Sequence, residues 1–114
     1  MNYDVGDIYY VDIAFEDDQT FSKERPVVVI DVEDGDILIL TISEITTTAP
    51  NTPPKYHDQF KSPINNYGTA GLSRMSYVKA HKLKRIPESA LKTYVGKMEE
   101  TDLYNAIVMI ADNL

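Results

Sequence analysis

Apolar positions along the chain fall into two regimes. In the first half they come in strand-length runs. Ile8 to Phe15 is rich in aromatic and β-branched residues, and Val27-Val28-Val29-Ile30 and Ile37-Leu38-Ile39-Leu40 are continuously apolar. Runs this short read as strands, and two that are apolar on both faces read as strands in the middle of a closed or covered sheet. Between them stands Glu33-Asp34-Gly35-Asp36, and Asp-Gly in that setting predicts a hairpin whose turn uses positive φ. Gln19-Thr20-Phe21-Ser22-Lys23 reads as an exposed loop joining the first strand to the second. Ser76 to Lys79 and Lys82 to Ile86 read as two further short strands. The stretch Thr46 to Pro54 holds three of the six prolines and almost nothing apolar, so it reads as a surface loop.

In the last quarter the spacing changes. Pro87 followed by Glu88-Ser89-Ala90-Leu91 suits a first helical turn, with Gly96 as its C-cap. A second helix is predicted from Thr101, a good N-cap. Leu103, Ile107, Ile110 and Leu114 recur at helical spacing, Asp102 and Asn105 lie off that stripe, and Tyr104, Val108, Met109 and Ala111 widen it. A terminal helix this apolar covers the sheet or meets a second copy of the chain, which makes a homodimer an expectation. The predicted fold class is mainly β with C-terminal helices (α+β): a small antiparallel barrel closed by one or two terminal helices. The 114 residues suffice for one core, so 1–114 is expected to be a single domain.

Composition is that of a folded chain, 43% apolar and 25% charged. With no cysteine, disulfides, thiolate metal sites and thiol nucleophiles are excluded. No tract approaches the roughly 20 apolar residues needed to span a bilayer. The acidic start, Met1 to Asp7, lacks the apolar core of a signal peptide, so the expected location is cytoplasmic and no membrane partner is expected. The net charge of -7 argues against indiscriminate nucleic-acid binding. Its distribution changes that picture: Met1 to Asp36 holds 11 acids and 2 bases, whereas Lys55 to Arg85 holds 7 bases and 1 acid. Either the two halves neutralise each other in surface pairs, or one basic face sits on an acidic protein.

The usual enzyme constellations are absent. His57 and His81 are the only histidines, no HExxH occurs, and the five glycines form no phosphate loop. No metal and no cofactor are expected, and the acids Glu16-Asp17-Asp18 and Glu33-Asp34-Gly35-Asp36 read as solvated turns. Arg25 stands apart. It lies in Lys23-Glu24-Arg25-Pro26 before the most apolar strand, where a proline suits a strand start. Its planar guanidinium is suited to phosphate. If the hairpin pairs around Asp34-Gly35, Thr41 or Ser43 could converge with Arg25 on one anion. The competing reading is an arginine bonded to Glu24, Glu44 or Asp31. Arg74-Met75-Ser76-Tyr77-Val78-Lys79 places cations among aromatic rings, as a single-stranded RNA groove does; the plainer account makes Tyr77 and Val78 core and the lysines surface.

These segments resemble a known family. Gly6-Asp7-Ile8-Tyr9-Tyr10-Val11-Asp12 resembles the opening of the MazF/PemK-type toxins of bacterial toxin–antitoxin systems, and Lys23-Glu24-Arg25-Pro26-Val27-Val28-Val29-Ile30 resembles their Arg-Pro strand. Gly71-Leu72-Ser73-Arg74-Met75-Ser76-Tyr77-Val78-Lys79 is similar to a segment of the PemK-like branch, and Ile86, Leu91, Val95-Gly96-Lys97 and Asp102-Leu103 fall where that branch has its closing helices. The resemblance spans nearly the whole chain in order. It implies an SH3-like barrel, usually a homodimer, with a cognate antitoxin as partner. It also implies a metal-independent endoribonuclease that cuts single-stranded RNA, commonly mRNA. The family's essential arginine corresponds to Arg25 and its essential hydroxyl, usually threonine, to Ser43, with Thr41 the other candidate. Arg74, Ser76, Tyr77, Lys79 and Lys82 are the expected RNA-binding residues. Attack by the 2′-OH would leave a 2′,3′-cyclic phosphate and a 5′-OH, with Glu24, Glu44 and His81 as candidate bases. The chain departs from the family pattern at Ser43, at Glu44, where a hydroxyl is frequent, and at Met75, where proline is usual. The alternative is therefore a catalytically inactive barrel that binds RNA or protein.

Overall fold

The computed structural model of the protein describes residues 3–14 and 20–114. Its elements are β1 (Asp7–Ala14), β2 (Ser22–Asp34), β3 (Leu38–Thr46), β4 (Lys61–Ile64), β5 (Ser76–Pro87), β6 (Tyr94–Lys97) and α1 (Glu100–Asp112), with 3-10 turns at Tyr56–Phe60 and Glu88–Ala90. The strands form one antiparallel sheet in the order β4-β5-β3-β2-β1-β6. This is a half-barrel with one C-terminal helix, the mainly β class expected. Val27, Val28 and Val29 are fully buried because the sheet carries apolar material on both sides. Ile8, Val28, Ile45, Ile64, Val78, Met98 and Ala106 cluster on one face. Val11, Val27, Val29, Leu40, Ile42 and Ile86 cluster on the other. Burying each such side chain contributes about 1.5–3 kcal/mol, which is why these unbroken apolar runs became central strands.

Several local expectations need correction. Ser22 and Lys23 belong to β2, so the predicted loop is shorter than expected; Gln19, with Phe15 and the acids at 16–18, lies outside the described residues. The β2–β3 ladder ends at the pair Asp34–Leu38, so Gly35, Asp36 and Ile37 form the turn. Ile37 is 68% exposed rather than in a strand, and Gly35 does not use positive φ. The two short strands predicted after Ser76 are one strand with an irregularity. From Ser43 to Ile45 on β3, the partner on β5 moves from Leu83 to Val78, so the surplus residues bulge. The Ser43 hydroxyl donates to the Lys79 carbonyl at 2.7 Å across this irregularity.

The predicted first helix is a single 3-10 turn followed by β6, which pairs with β1. Thr93-Tyr94-Val95 is β-branched and aromatic, and such residues favour a strand once a partner edge is present. Helix α1 begins two residues earlier than a Thr101 cap implies. The Glu99 carboxylate accepts from the Thr101 and Asp102 amides at 3.0 and 3.4 Å, satisfying free first-turn donors. Its buried stripe is Asp102, Ala106 and Ile110, while Tyr104, Val108 and Leu114 are exposed. Asp102, expected on the polar side, is buried because its carboxylate accepts from the Asn66 backbone amide at 2.8 Å.

That bond ties the helix to the turn after β4, and the same turn meets β6. A Cβ on Gly96 would collide with the Ala70 carbonyl oxygen, and one on Gly71, at φ 88°, with the Val95 carbonyl oxygen. The segment following one edge strand thus packs backbone to backbone against the other. Gly96→Ala is expected to lower stability by about 2 kcal/mol, whereas Gly35→Ala, with open space around it, is expected to change it by less than about 0.5 kcal/mol. Chemical denaturation of the two variants checks this, and equal midpoints would contradict it.

Candidate functional site

Arg25 lies in β2 opposite Val11, two residues before the first β2–β3 pair, Val27–Glu44. Over this stretch β2 is hydrogen-bonded only to β1, which leaves a free side where Pro26 does not break a ladder. Strand alternation puts Arg25, Val27 and Glu44 on one face and Val28 with Ser43 on the other. The expected convergence of Arg25 with Ser43 is therefore not what the register builds. Ser43 is fully buried with its hydroxyl given to Lys79, and Thr41 pairs with Asp31 and Arg85, farther along the sheet.

Arg25 is half-buried, and its guanidinium makes no ion pair or side-chain hydrogen bond with Glu24, Glu44 or Asp31. Glu24 lies 4.0 Å from Lys92, which also pairs with Asp12 at 2.9 Å. Glu44 is in no ion pair among the described residues. It lines a cleft of about 250 Å³ with Ile13, Ala14, Ile42, Lys82, Leu83 and Lys84.

The residues expected to bind RNA divide between two places. Arg74 is exposed and lines a cleft of about 240 Å³ that includes Tyr10, Pro26 and Thr47. Ser76 is buried below it and donates to the Arg74 carbonyl at 2.9 Å. Tyr77 is half-buried opposite Thr46 and Pro63. Lys79 and Lys82 line a second, larger cleft of about 460 Å³ with Lys55, His57, Asp58, Lys61 and His81. Lys82 also lines the Glu44 cleft, so the two adjoin. Sequence reasoning had placed Lys55 and Lys61 in the basic third but missed His57 as their neighbour. Its 24-residue separation from His81 carries no motif; only the fold, which seats the Tyr56–Phe60 turn against β5, brings the two together.

Charge pairing is selective. Arg85 grips Glu33 with two donors at 3.0 and 3.1 Å, and Lys61 pairs with Asp58 at 3.1 Å. Lys55, Arg74, Lys79 and Lys84 are in no ion pair among the described residues. Mutual neutralisation accounts for some of the basic third, and these four bases stand without an acidic partner among the described residues.

A model of the PemK-like, MazF-like toxins of type II toxin–antitoxin systems matches residues 4–110. The chain belongs to that family. Among solved structures it is similar to the Mycobacterium tuberculosis toxin MazF-mt6, with 20% identity, a TM-score of 0.67 and 93% of each chain covered. It is also similar to an endoribonuclease in complex with its cognate antitoxin from Mycobacterial species, with 15% identity, a TM-score of 0.59, and 94% of this chain and 92% of that one covered. A further likeness is to a structure described as an Mtb toxin, with 19% identity and a TM-score of 0.59 over 79% of this chain and 92% of that one. At these identities the structures establish the fold. No curated protein sequence matches. Among the described residues no helix is long and apolar enough to cross a membrane, and no group of three or more potential metal ligands occurs.

Asp58 anchors the wall of the larger cleft. Its carboxylate accepts from the Asn51 side chain at 2.9 Å and from the Asn51 and Lys55 amides at 2.8 Å each. The Asn51 side chain first, then those amides and Lys61, hold its pKa well below the usual carboxylate range. A group whose pKa is lowered on folding contributes stability that is complete above its unfolded value and is lost as pH falls through its folded one. Acidification below about pH 4 is therefore expected to lower the Tm of the wild type more steeply than that of Asp58→Asn. The variant starts lower at neutral pH. Parallel slopes in melting curves would contradict this.

Proposed function

We propose that this chain is a toxin endoribonuclease that cleaves single-stranded RNA in the cytoplasm without a metal, working as a homodimer restrained by a cognate antitoxin. The observation that carries the proposal is Arg25: in a chain of the MazF/PemK family, a half-buried arginine stands in a strand with no ion pair among the described residues. The exposed Tyr104 and Val108 on α1, with Leu114 just beyond it, support a contact with a second copy.

In this reading the substrate's 2′-oxygen attacks the adjacent phosphorus, the bond to the 5′-oxygen breaks, and the products are a 2′,3′-cyclic phosphate and a 5′-OH. Glu44, the candidate base on Arg25's face, accepts the 2′-OH proton, and water protonates the departing 5′-oxygen. Arg25 stabilises the charge that builds on the phosphoryl oxygens, an interaction strongest in the transition state. Ser43 acts at one remove: its bond to the Lys79 carbonyl holds β3 against the bulge that carries Lys79 and Lys82. Arg74, Ser76, Tyr77, Lys79 and Lys82 form or support the RNA-facing surface.

The second reading is a silent barrel that binds RNA or protein, and one observation favours it. Ser43, the hydroxyl that the resemblance matches to the family's essential one, is buried and already bonded to the Lys79 carbonyl.

Arg25→Ala is expected to lower cleavage of a long single-stranded RNA by about 10²–10³-fold with an unchanged melting curve. Ser43→Ala should lower it less, and cleavage should proceed in EDTA. A wild type that cuts no RNA would establish the silent reading, and an Arg25→Ala variant cutting at full rate would remove Arg25 from the mechanism.

Binding is separable from cutting. Charge reversal at Arg74 and Lys79 should weaken RNA affinity and flatten its salt dependence, by up to ~0.7 in log–log slope for each phosphate no longer neutralised. Titrations at several salt concentrations measure this, and unchanged slopes would mean that the two side chains only face solvent.

A further inference from the structure

The larger cleft contains a feature that the cleavage scheme does not use. His57, in the Tyr56–Phe60 turn, stacks on His81 of β5 with ring centroids 4.8 Å apart and planes 14° from parallel. His57 is exposed, His81 is half-buried, and the Nδ1 of His81 is buried with no hydrogen-bond partner. Lys55 precedes the turn, Lys61 begins β4, and Lys79 and Lys82 flank His81 on β5; all four line the cleft. The acid in its wall, Asp58, is committed to two amides, the Asn51 side chain and Lys61, and so is not available to the histidines. On the far side of the stack Tyr56, Phe60, Leu83, Ile110, Asn113 and Leu114 bring no charged side chain.

We propose that this cleft binds a phosphate group of a single-stranded nucleic-acid backbone, and that the His57–His81 stack takes up a proton as the phosphate arrives. The source of the phosphate rests on the RNA reading above; the site itself does not. Two stacked imidazoles ringed by lysines repel any added positive charge. Burial, then His57, Lys79 and Lys61, hold His81 below the ordinary histidine pKa. Without a bound anion, His81 is therefore largely neutral at pH 7. A bound phosphate reverses the sign of the local field and favours the imidazolium, in which both ring nitrogens donate. Linkage then requires that phosphate affinity fall as pH rises through the histidine range.

The test is unusually clean because these are the only two histidines in the chain. Carboxylates and lysines do not titrate between about pH 6 and pH 8. Two measurements are made on the intact protein. In the first, imidazole resonances are followed by NMR across pH with and without inorganic phosphate, with chloride at equal ionic strength as control. Phosphate should raise the pKa of at least one of the pair, and chloride should not. In the second, a 2′-O-methyl oligonucleotide, which cannot be cut, is titrated by anisotropy near pH 6 and pH 8. The wild type should bind several-fold more tightly at the lower pH, with about tenfold the limit for one histidine proton whose pKa rises by about a unit. The doubly substituted His57→Gln, His81→Gln protein should show little pH dependence.

Imidazole titrations that ignore phosphate would overturn the proposal, and so would oligonucleotide binding whose pH dependence survives the double substitution or is absent from the wild type. Raised imidazole pKa values in phosphate with no oligonucleotide binding at either pH would uphold the phosphate site and remove the RNA reading.

Discussion

The close approach of two backbones, Gly96 in β6 and the Ala70–Gly71 turn after β4, is the contact on which the architecture depends. β4 and β6 are opposite edges of the sheet, and without this contact six antiparallel strands would form an open ribbon with two exposed ladders. A side chain at either glycine would meet a carbonyl oxygen, so the approach is possible only where no Cβ exists. Once the edges are drawn together the sheet must curl. Curling encloses the Ile8–Val28–Val78 cluster beneath α1 and leaves the Val11–Val27–Val29 cluster to be covered from the other side by Tyr3, Ala90 and Leu91. The buried Asp102–Asn66 bond fixes the helix to the same turn. One turn therefore sets both the curvature of the sheet and the seat of its helix.

What could be read in the sequence follows from which residues are decided locally. The valine run at 27–29 could only be a central strand, and the hairpin at 34–38 was marked by Asp-Gly, although Ile37 went to the turn instead of the ladder. The segment after Pro87 was misread because Pro, Glu and a later Gly carry helix-boundary signals. The free edge of β1, a partner more than 80 residues away, turned Tyr94–Lys97 into a strand. Asp102 was misassigned for a related reason. A carboxylate in an apolar stripe looks like an interruption until its partner, a turn amide 36 residues distant, is known. The candidate site divides in the same way. The Arg-Pro pair marked a strand, but that strand begins at Ser22 and so contains Arg25 and Pro26 instead of starting at the proline; the face on which Ser43 lies depends on register, and a one-residue difference in register reverses the face.

Charge behaves likewise. A chain with a net charge of -7 looks unsuited to RNA, yet its acids and bases are sorted by the fold. Lys97 pairs with Asp4, Lys92 with Asp12 and Arg85 with Glu33, all at exposed positions where such pairs contribute little stability. Their consequence is electrostatic: they cancel acids of the N-terminal third with bases that lie outside the two cation-lined clefts. Fields are screened within about 8–10 Å at physiological salt, so under the proposed RNA reading Arg74, Lys79 and their neighbours would matter more than the distant total.

The irregularity in β5 links these parts. A regular strand from Ser76 to Pro87 would alternate its side chains strictly between the two faces, and Lys79, His81 and Lys82 would be divided by that alternation. The surplus residues between the partners of Ile45 and Ser43 break the alternation where the basic side chains occur. The Ser43 hydroxyl stabilises the break by satisfying the Lys79 carbonyl, which a bulge withdraws from regular pairing. The result is a lysine, Lys82, lining both the cleft of Glu44 on Arg25's face and the cleft of the two histidines. A hydroxyl that cannot reach solvent thereby influences two surfaces that can. Buried Ser43 is on this account a structural element: what it holds in place is the strand that presents the cations.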